Sequence, residues 1–190
     1  RHTNLVTFIL LALALAALTN GASLSLESIR NLAVAESVRA FAALGVGMII
    51  ITRGIDLSIG AVVCLVASVT ASFAQNPDYV SAIYPGVEFP LWVPIVAGIA
   101  TGAAFGLFNG LLVACARLPP FIATLGSMSV AFGCQLIYTK ANVVGSLKEP
   151  FKAIGQGTTA AVPNLAIFVA IAALVVWFLL RHTRQGTNLY

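Results

Sequence analysis

Groups able to do proton, metal or nucleophile chemistry are few in this chain and far apart. Among 190 residues there are two histidines, His2 and His182, near opposite ends, and six acids. No His-Glu-x-x-His zinc pair and no Gly-x-Ser-x-Gly nucleophile elbow occurs. No Gly-x-x-x-x-Gly-Lys-Ser/Thr loop is present to cradle nucleotide phosphates. Cys64, Cys115 and Cys134 sit in or beside apolar runs without metal-ligand spacing, which predicts buried free thiols. The expectation is no catalytic site, no metal and no cofactor. One acid stands apart. Asp56 has long uncharged runs on both sides, and a lone intramembrane carboxylate keeps an ion-coupled carrier in view.

Asp56 belongs to Arg53-Gly54-Ile55-Asp56-Leu57-Ser58-Ile59-Gly60, a polar interruption between the charge-free runs 41–52 and 57–74. The stretch reads as a helix stop followed at once by a helix start. Gly54 suits the left-handed residue that ends a helix, and Asp56 suits the cap of the next. Two roles remain open on spacing alone. Asp56 is a simple N-cap with Arg53 a cytoplasmic anchor, or a carboxylate and a helix N-terminus sit beside a solute pathway.

Other polar groups interrupt apolar stretches. Gly98, Gly102, Gly106 and Gly110 recur every four residues, so the row drifts slowly round one helix face and predicts a groove for a neighbouring backbone. Asn109 lies beside that row, where interhelical hydrogen bonding is its default use. Thr124, Ser127, Ser129 and Gln135 supply neutral donors and acceptors further on. Hydroxyls in such helices usually bond the preceding turn. A path for a neutral solute would need groups of this same type.

The elements that hold these residues are membrane spans. The chain is 59% hydrophobic and 8% charged, against about 25% charged in a soluble domain. Its net charge of +4 is scattered over basic residues at run ends, which suits membrane anchors and not nucleic acid. Six spans are predicted, at 5–22, 28–52, 57–74, 91–114, 121–138 and 164–180, with Ser28 as cap of the second. The loop 75–90 has Asp78 and Glu88 but no Lys or Arg, so it faces away from the cytoplasm. Pro119-Pro120 stops one helix and opens the next. A short interfacial helix is expected near 149–154, and Arg181, His182 and Arg184 close the last span. Both ends then lie inside.

Several segments, in order, resemble one family. They are Gly45-Val46-Gly47-Met48, the signature Gly54-Ile55-Asp56-Leu57-Ser58-Ile59-Gly60, Asn109-Gly110-Leu111-Leu112-Val113, Pro120-Phe121-Ile122-Ala123-Thr124-Leu125-Gly126, and Thr183-Arg184-Gln185-Gly186 with Tyr190. Together they resemble the ribose-type permease subunits of bacterial ABC importers for monosaccharides such as ribose, xylose, arabinose and galactose. Arg53 departs from the Gly-Gly-Ile-Asp of most members. The resemblance implies an all-α polytopic bundle, type II-like, in the cytoplasmic membrane with a cytoplasmic N-terminus, 1–190 being one transmembrane domain. It implies a permease homodimer or paired permease, two cytoplasmic ATPase subunits and an extracytoplasmic sugar-binding protein, with ATP hydrolysis outside this chain. It also implies later spans, so the chain is expected to be the N-terminal portion of a longer permease. Arg53, Asp56, Ser58, Asn109 and Thr124 are the candidates to line or brace the path. An ion-coupled secondary carrier and a non-transporting membrane scaffold are the competing readings.

Overall fold

The computed structural model describes residues 3–187; His2 and Tyr190 lie outside them. Its helices are α1 (Thr3–Leu18), α2 (Leu26–Ile51), α3 (Ile59–Phe73), α4 (Trp92–Ala114), α5 (Pro120–Thr139), α6 (Glu149–Gln156), α7 (Asn164–His182) and α8 (Arg184–Thr187). A two-stranded hairpin, β1 (Thr158–Thr159) with β2 (Val162–Pro163), joins α6 to α7. Each of the six apolar stretches is helical. Four of them, α2, α4, α5 and α7, are long and apolar enough to cross a membrane. With 15 residues, α3 reaches only about 22 Å, short of a hydrocarbon core of about 30 Å. The expected start at residue 57 moves to Ile59 because Asp56, Leu57 and Ser58 form a turn ahead of the helix. At α2 the cap is Ser25, not Ser28: Ser25 Oγ accepts the Ser28 amide at 3.2 Å, the bond an N-cap makes to the third helical residue.

Helix ends explain the polar connectors. The Arg53 amide bonds Ile50 O and the Gly54 amide bonds Ile49 O, both at 2.9 Å, which closes α2 in a Schellman motif. The left-handed residue there is Arg53, with φ 58°, and not Gly54 as the sequence suggested. Gly54 answers a different need. A Cβ on it would stand 3.0 Å from Ile49 Cγ2 and 3.3 Å from Ile49 O, tighter than side chains ordinarily pack, so a side chain there would press on Ile49. Arg117 after α4 and Lys140 after α5 are also left-handed. Beyond Arg117, Pro119 and Pro120 occupy the N-cap and first position of α5, where a missing amide hydrogen costs nothing.

Helices α3, α4 and α5 pack on one another, and α2 packs on α7. Most of the buried residues are small and often polar, Ala123, Ala131, Ser58, Ser72, Thr124 and Ser127 among them, with Leu65 and Gln75 the larger exceptions. Helices in lipid gain no hydrophobic drive from association, so close backbone approach and interhelical bonds take its place. Large apolar side chains point outward instead, Phe8, Ile99, Leu107 and Leu174 among them. Cys64, Cys115 and Cys134 are free, as expected, but exposed and not buried. They lie on helix or connector surfaces that this chain leaves to its surroundings.

The loops 74–91 and 140–148 are sewn together at the end remote from Asp56. Asn76 N donates to Ser146 O at 2.8 Å, Lys148 N to Ala74 O at 2.9 Å, and buried Gln75 bridges Gly145 O and Ile83 N. Lys148 Nζ reaches Phe89 O at 2.8 Å and lies 3.5 Å from Glu88. Phe73 stacks on Tyr84, and Phe89 meets both edge to face.

Candidate functional site

Four of the five candidate path residues form one hydrogen-bonded cluster. Asp56 Oδ1 accepts the Ser58 amide at 2.7 Å and the Ser58 hydroxyl at 2.6 Å. Asn109 Nδ2, from α4, donates to Ser58 Oγ at 2.9 Å. Thr124 Oγ1, from α5, accepts the Leu57 amide at 3.2 Å and sits 3.3 Å from Ile55 O. The turn between α2 and α3 is thus tied to α4 on one side and α5 on the other. Ser58 is fully buried and Thr124 nearly so.

Charge fixes the direction of these bonds. An ionised carboxylate only accepts, so the Ser58 hydroxyl hydrogen must go to Asp56. Asn109 must therefore approach Ser58 with its NH₂. Its carbonyl oxygen is left buried with no donor. An orphaned acceptor of that kind costs about 1–3 kcal/mol, so the cluster is held against a local penalty. Asp56 itself bonds ahead of the helix, in an Asx turn, and places no side-chain bond on the amides of α3. Arg53 forms no ion pair with Asp56 among the described residues, and it is exposed.

The glycine row divides into two halves. A Cβ on Gly98 would collide with Thr70 Oγ1, and one on Gly102 would touch Val66 at 3.6 Å, so this half seats α3. Around Gly106 and Gly110 a Cβ would meet nothing within 4 Å. That half borders a cavity of about 400 Å³, whose walls include Thr52, Asp56, Asn109 and Thr124. Ser127 donates to Thr124 O at 3.1 Å, the ordinary bond to a preceding turn. Ser129 is exposed, and Gln135 Nε2 stands 3.4 Å from Ser68 Oγ.

A second polar cluster went unseen in the sequence. Tyr138 OH lies 2.6 Å from Ser72 Oγ and 3.1 Å from Tyr84 OH, joining α5, α3 and the 74–91 loop. A tyrosine in the last turn of a span, beside an aromatic-rich loop, was the available signal.

Residues 28–190 match the family described as branched-chain amino acid transport system / permease component. The chain belongs to this permease family. It is 35% identical over 175 residues to a galactose/methyl galactoside import permease protein of Haemophilus influenzae, covering 88% of this chain and 52% of that one. With a ribose import permease protein of Escherichia coli K12 it shares 32% over 170 residues, 87% of this chain and 50% of the relative. With a D-allose transport system permease protein of the same strain it shares 33% over 187 residues, 97% and 54% of the two chains. The permease chain thus spans about half the length of these curated relatives. No solved structure matches it. The family and the apolar helices make this a helical, multi-pass membrane permease component.

Proposed function

We propose that this chain is part of the membrane permease of a binding-protein-dependent ABC importer for a monosaccharide. The observation that carries the reading is likeness, along nearly the whole chain, to import permeases named for galactose, ribose and allose. The physical character agrees: the helices offer hydroxyls and amides to a neutral solute, and the described residues hold no cluster of acids and histidines. Two permease chains, two cytoplasmic ATPase subunits and an extracytoplasmic sugar-binding protein make up the working assembly. ATP is hydrolysed on the separate subunits. The N-terminus faces the cytoplasm of the inner membrane, and the 53–58 and 115–119 connectors lie on that side with Arg53 and Arg117 as anchors.

Within that assembly Asp56, Ser58, Asn109 and Thr124 brace the inner turn where α2, α3, α4 and α5 meet, and Arg53 anchors it at the surface. The burial of Ser58 and Thr124, the bonds of Ser58 to Asp56 and Asn109, and that of Thr124 to the Leu57 amide support bracing over direct contact with solute. The test is uptake of labelled monosaccharides into proteoliposomes holding full-length permease, ATPase and binding protein. Uptake abolished by vanadate and indifferent to ionophore is expected. Uptake that needs an ion gradient and no ATP would make the protein a secondary carrier, and no uptake of any sugar would refute the reading.

A further inference from the structure

The Asp56 cluster is turned inward on itself, which leaves open what touches the solute. A different face has the required chemistry. Along α3, Gly60, Cys64, Ala67, Ser68 and Ala71 recur at spacings of three and four and so share one side of the helix. On the facing side of α5, Met128, Phe132 and Gln135 do the same. Along the α3–α5 groove between these lines lie two separate open hollows, one of about 350 Å³ by Cys64 and one of about 420 Å³ by Ser68 and Gln135. A third, of about 270 Å³, lies by Tyr138, and the rim residues Asn142, Val143 and Val144 border it as well as the second chamber. Val66 and Thr70, which hold α4, are on the other side of α3.

We propose that the outer end of this α3–α5 groove is a subsite for a neutral, polyhydroxylated solute of monosaccharide size, hydrogen-bonded by Gln135, Ser68 and Asn142. The inference rests on the sugar-importer reading and adds the place of contact. Three observations favour such a ligand over a lipid chain. Gln135 is only half-buried, its single contact to Ser68 is long at 3.4 Å, and among the described residues no donor reaches its Oε1. A side-chain amide left against hydrocarbon is costly, so a polar occupant suits it. Asn142 at the rim uses its NH₂ on Lys140 O and has its carbonyl oxygen to offer. Charge is nearly absent: Lys140, at the mouth, is the sole charged side chain bordering the three chambers. Amides and hydroxyls on small, apolar walls suit a solute that is polar without being ionic.

Cys64 is free and exposed one helical turn from Ser68, in the neighbouring hollow, and so serves as a native probe of the approach to the subsite. The experiment uses full-length permease in lipid nanodiscs, without binding protein, with Cys115, Cys134 and any other cysteine of the protein replaced by serine so that Cys64 alone reacts. Alkylation by a charged methanethiosulfonate is timed by mass spectrometry with D-ribose, D-galactose or D-allose, and with mannitol as control. The transported sugar is expected to slow alkylation about tenfold at ten times its Kd, as mass action requires. Gln135→Leu and Ser68→Ala should each abolish that protection while Cys64 keeps its unprotected rate. Sugar uptake by the intact importer with Cys64 unprotected would overturn the subsite and leave the importer reading standing. Reaction of Cys64 with an apolar maleimide but not with the charged reagent would show lipid or a helix in the groove and also overturn it. Absence of any sugar uptake would remove the importer reading and the subsite together.

Discussion

Replacing Asp56 by alanine removes one oxygen that takes two donors, the amide and the hydroxyl of Ser58, at 2.7 and 2.6 Å. A hydrogen bond to a charged group contributes about 1.5–3 kcal/mol. Asp56 is only half-buried, so water offsets part of the loss, whereas Ser58 is fully buried and its amide has no access to water. The low end for both bonds gives a destabilisation of about 3 kcal/mol, roughly a hundredfold in the unfolding constant. The bond from Asn109 weakens with it, since Ser58 no longer has a fixed hydroxyl to present. Asp56→Asn keeps a neutral acceptor in place and should lose about half as much. The assay is reversible unfolding of full-length permease in mixed detergent micelles, with Asp78→Ala, exposed in the 74–91 loop, as reference. Sugar uptake should rank the variants in the same order. If Asp56→Ala falls within about 0.5 kcal/mol of Asp78→Ala, the range of an uninvolved surface change, the bracing argument is wrong.

Glycines of the same row should respond in opposite directions. Gly98→Ala drives a Cβ into Thr70 and should cost about 1–3 kcal/mol, relieved by Thr70→Ala, while Gly106→Ala, with open space around it, should gain up to about 1 kcal/mol of helix propensity; equal effects in micelle unfolding would refute the division. Arg53→Gly relieves a left-handed residue, so a stability gain of about 1 kcal/mol is expected, and a loss would mean the arginine side chain holds the turn. Tyr138→Phe deletes both hydroxyl links to Ser72 and Tyr84 at about 1 kcal/mol each, and should speed amide exchange in the 74–91 loop while leaving the 53–58 turn unchanged. Unaltered exchange in that loop would place the anchorage elsewhere, in Lys148 or Gln75.

Sequence alone determined that these are membrane helices and roughly where they lie. Uncharged runs of that length have no other stable state in lipid than a helix with all backbone bonds internal, and the charges and prolines between runs mark the ends. It also brought Asp56, Ser58, Asn109 and Thr124 forward, because a polar residue in an apolar run is conspicuous whatever it does. Their partners were another matter. Asn109 lies 51 positions from Ser58, and Thr124 67 from Leu57, so only the antiparallel packing of α3, α4 and α5 brings them within bonding distance. Backbone detail was equally hidden. Arg53 and not Gly54 turns left-handed, and Ser25 and not Ser28 caps α2, because a shift of one or three residues hardly alters the sequence pattern but decides which amide needs a partner. The glycine row could not reveal that half of it seats a helix and half borders a cavity. That division depends on where α3, shortened by its turn, leaves α4 uncovered, and tertiary structure alone decides it.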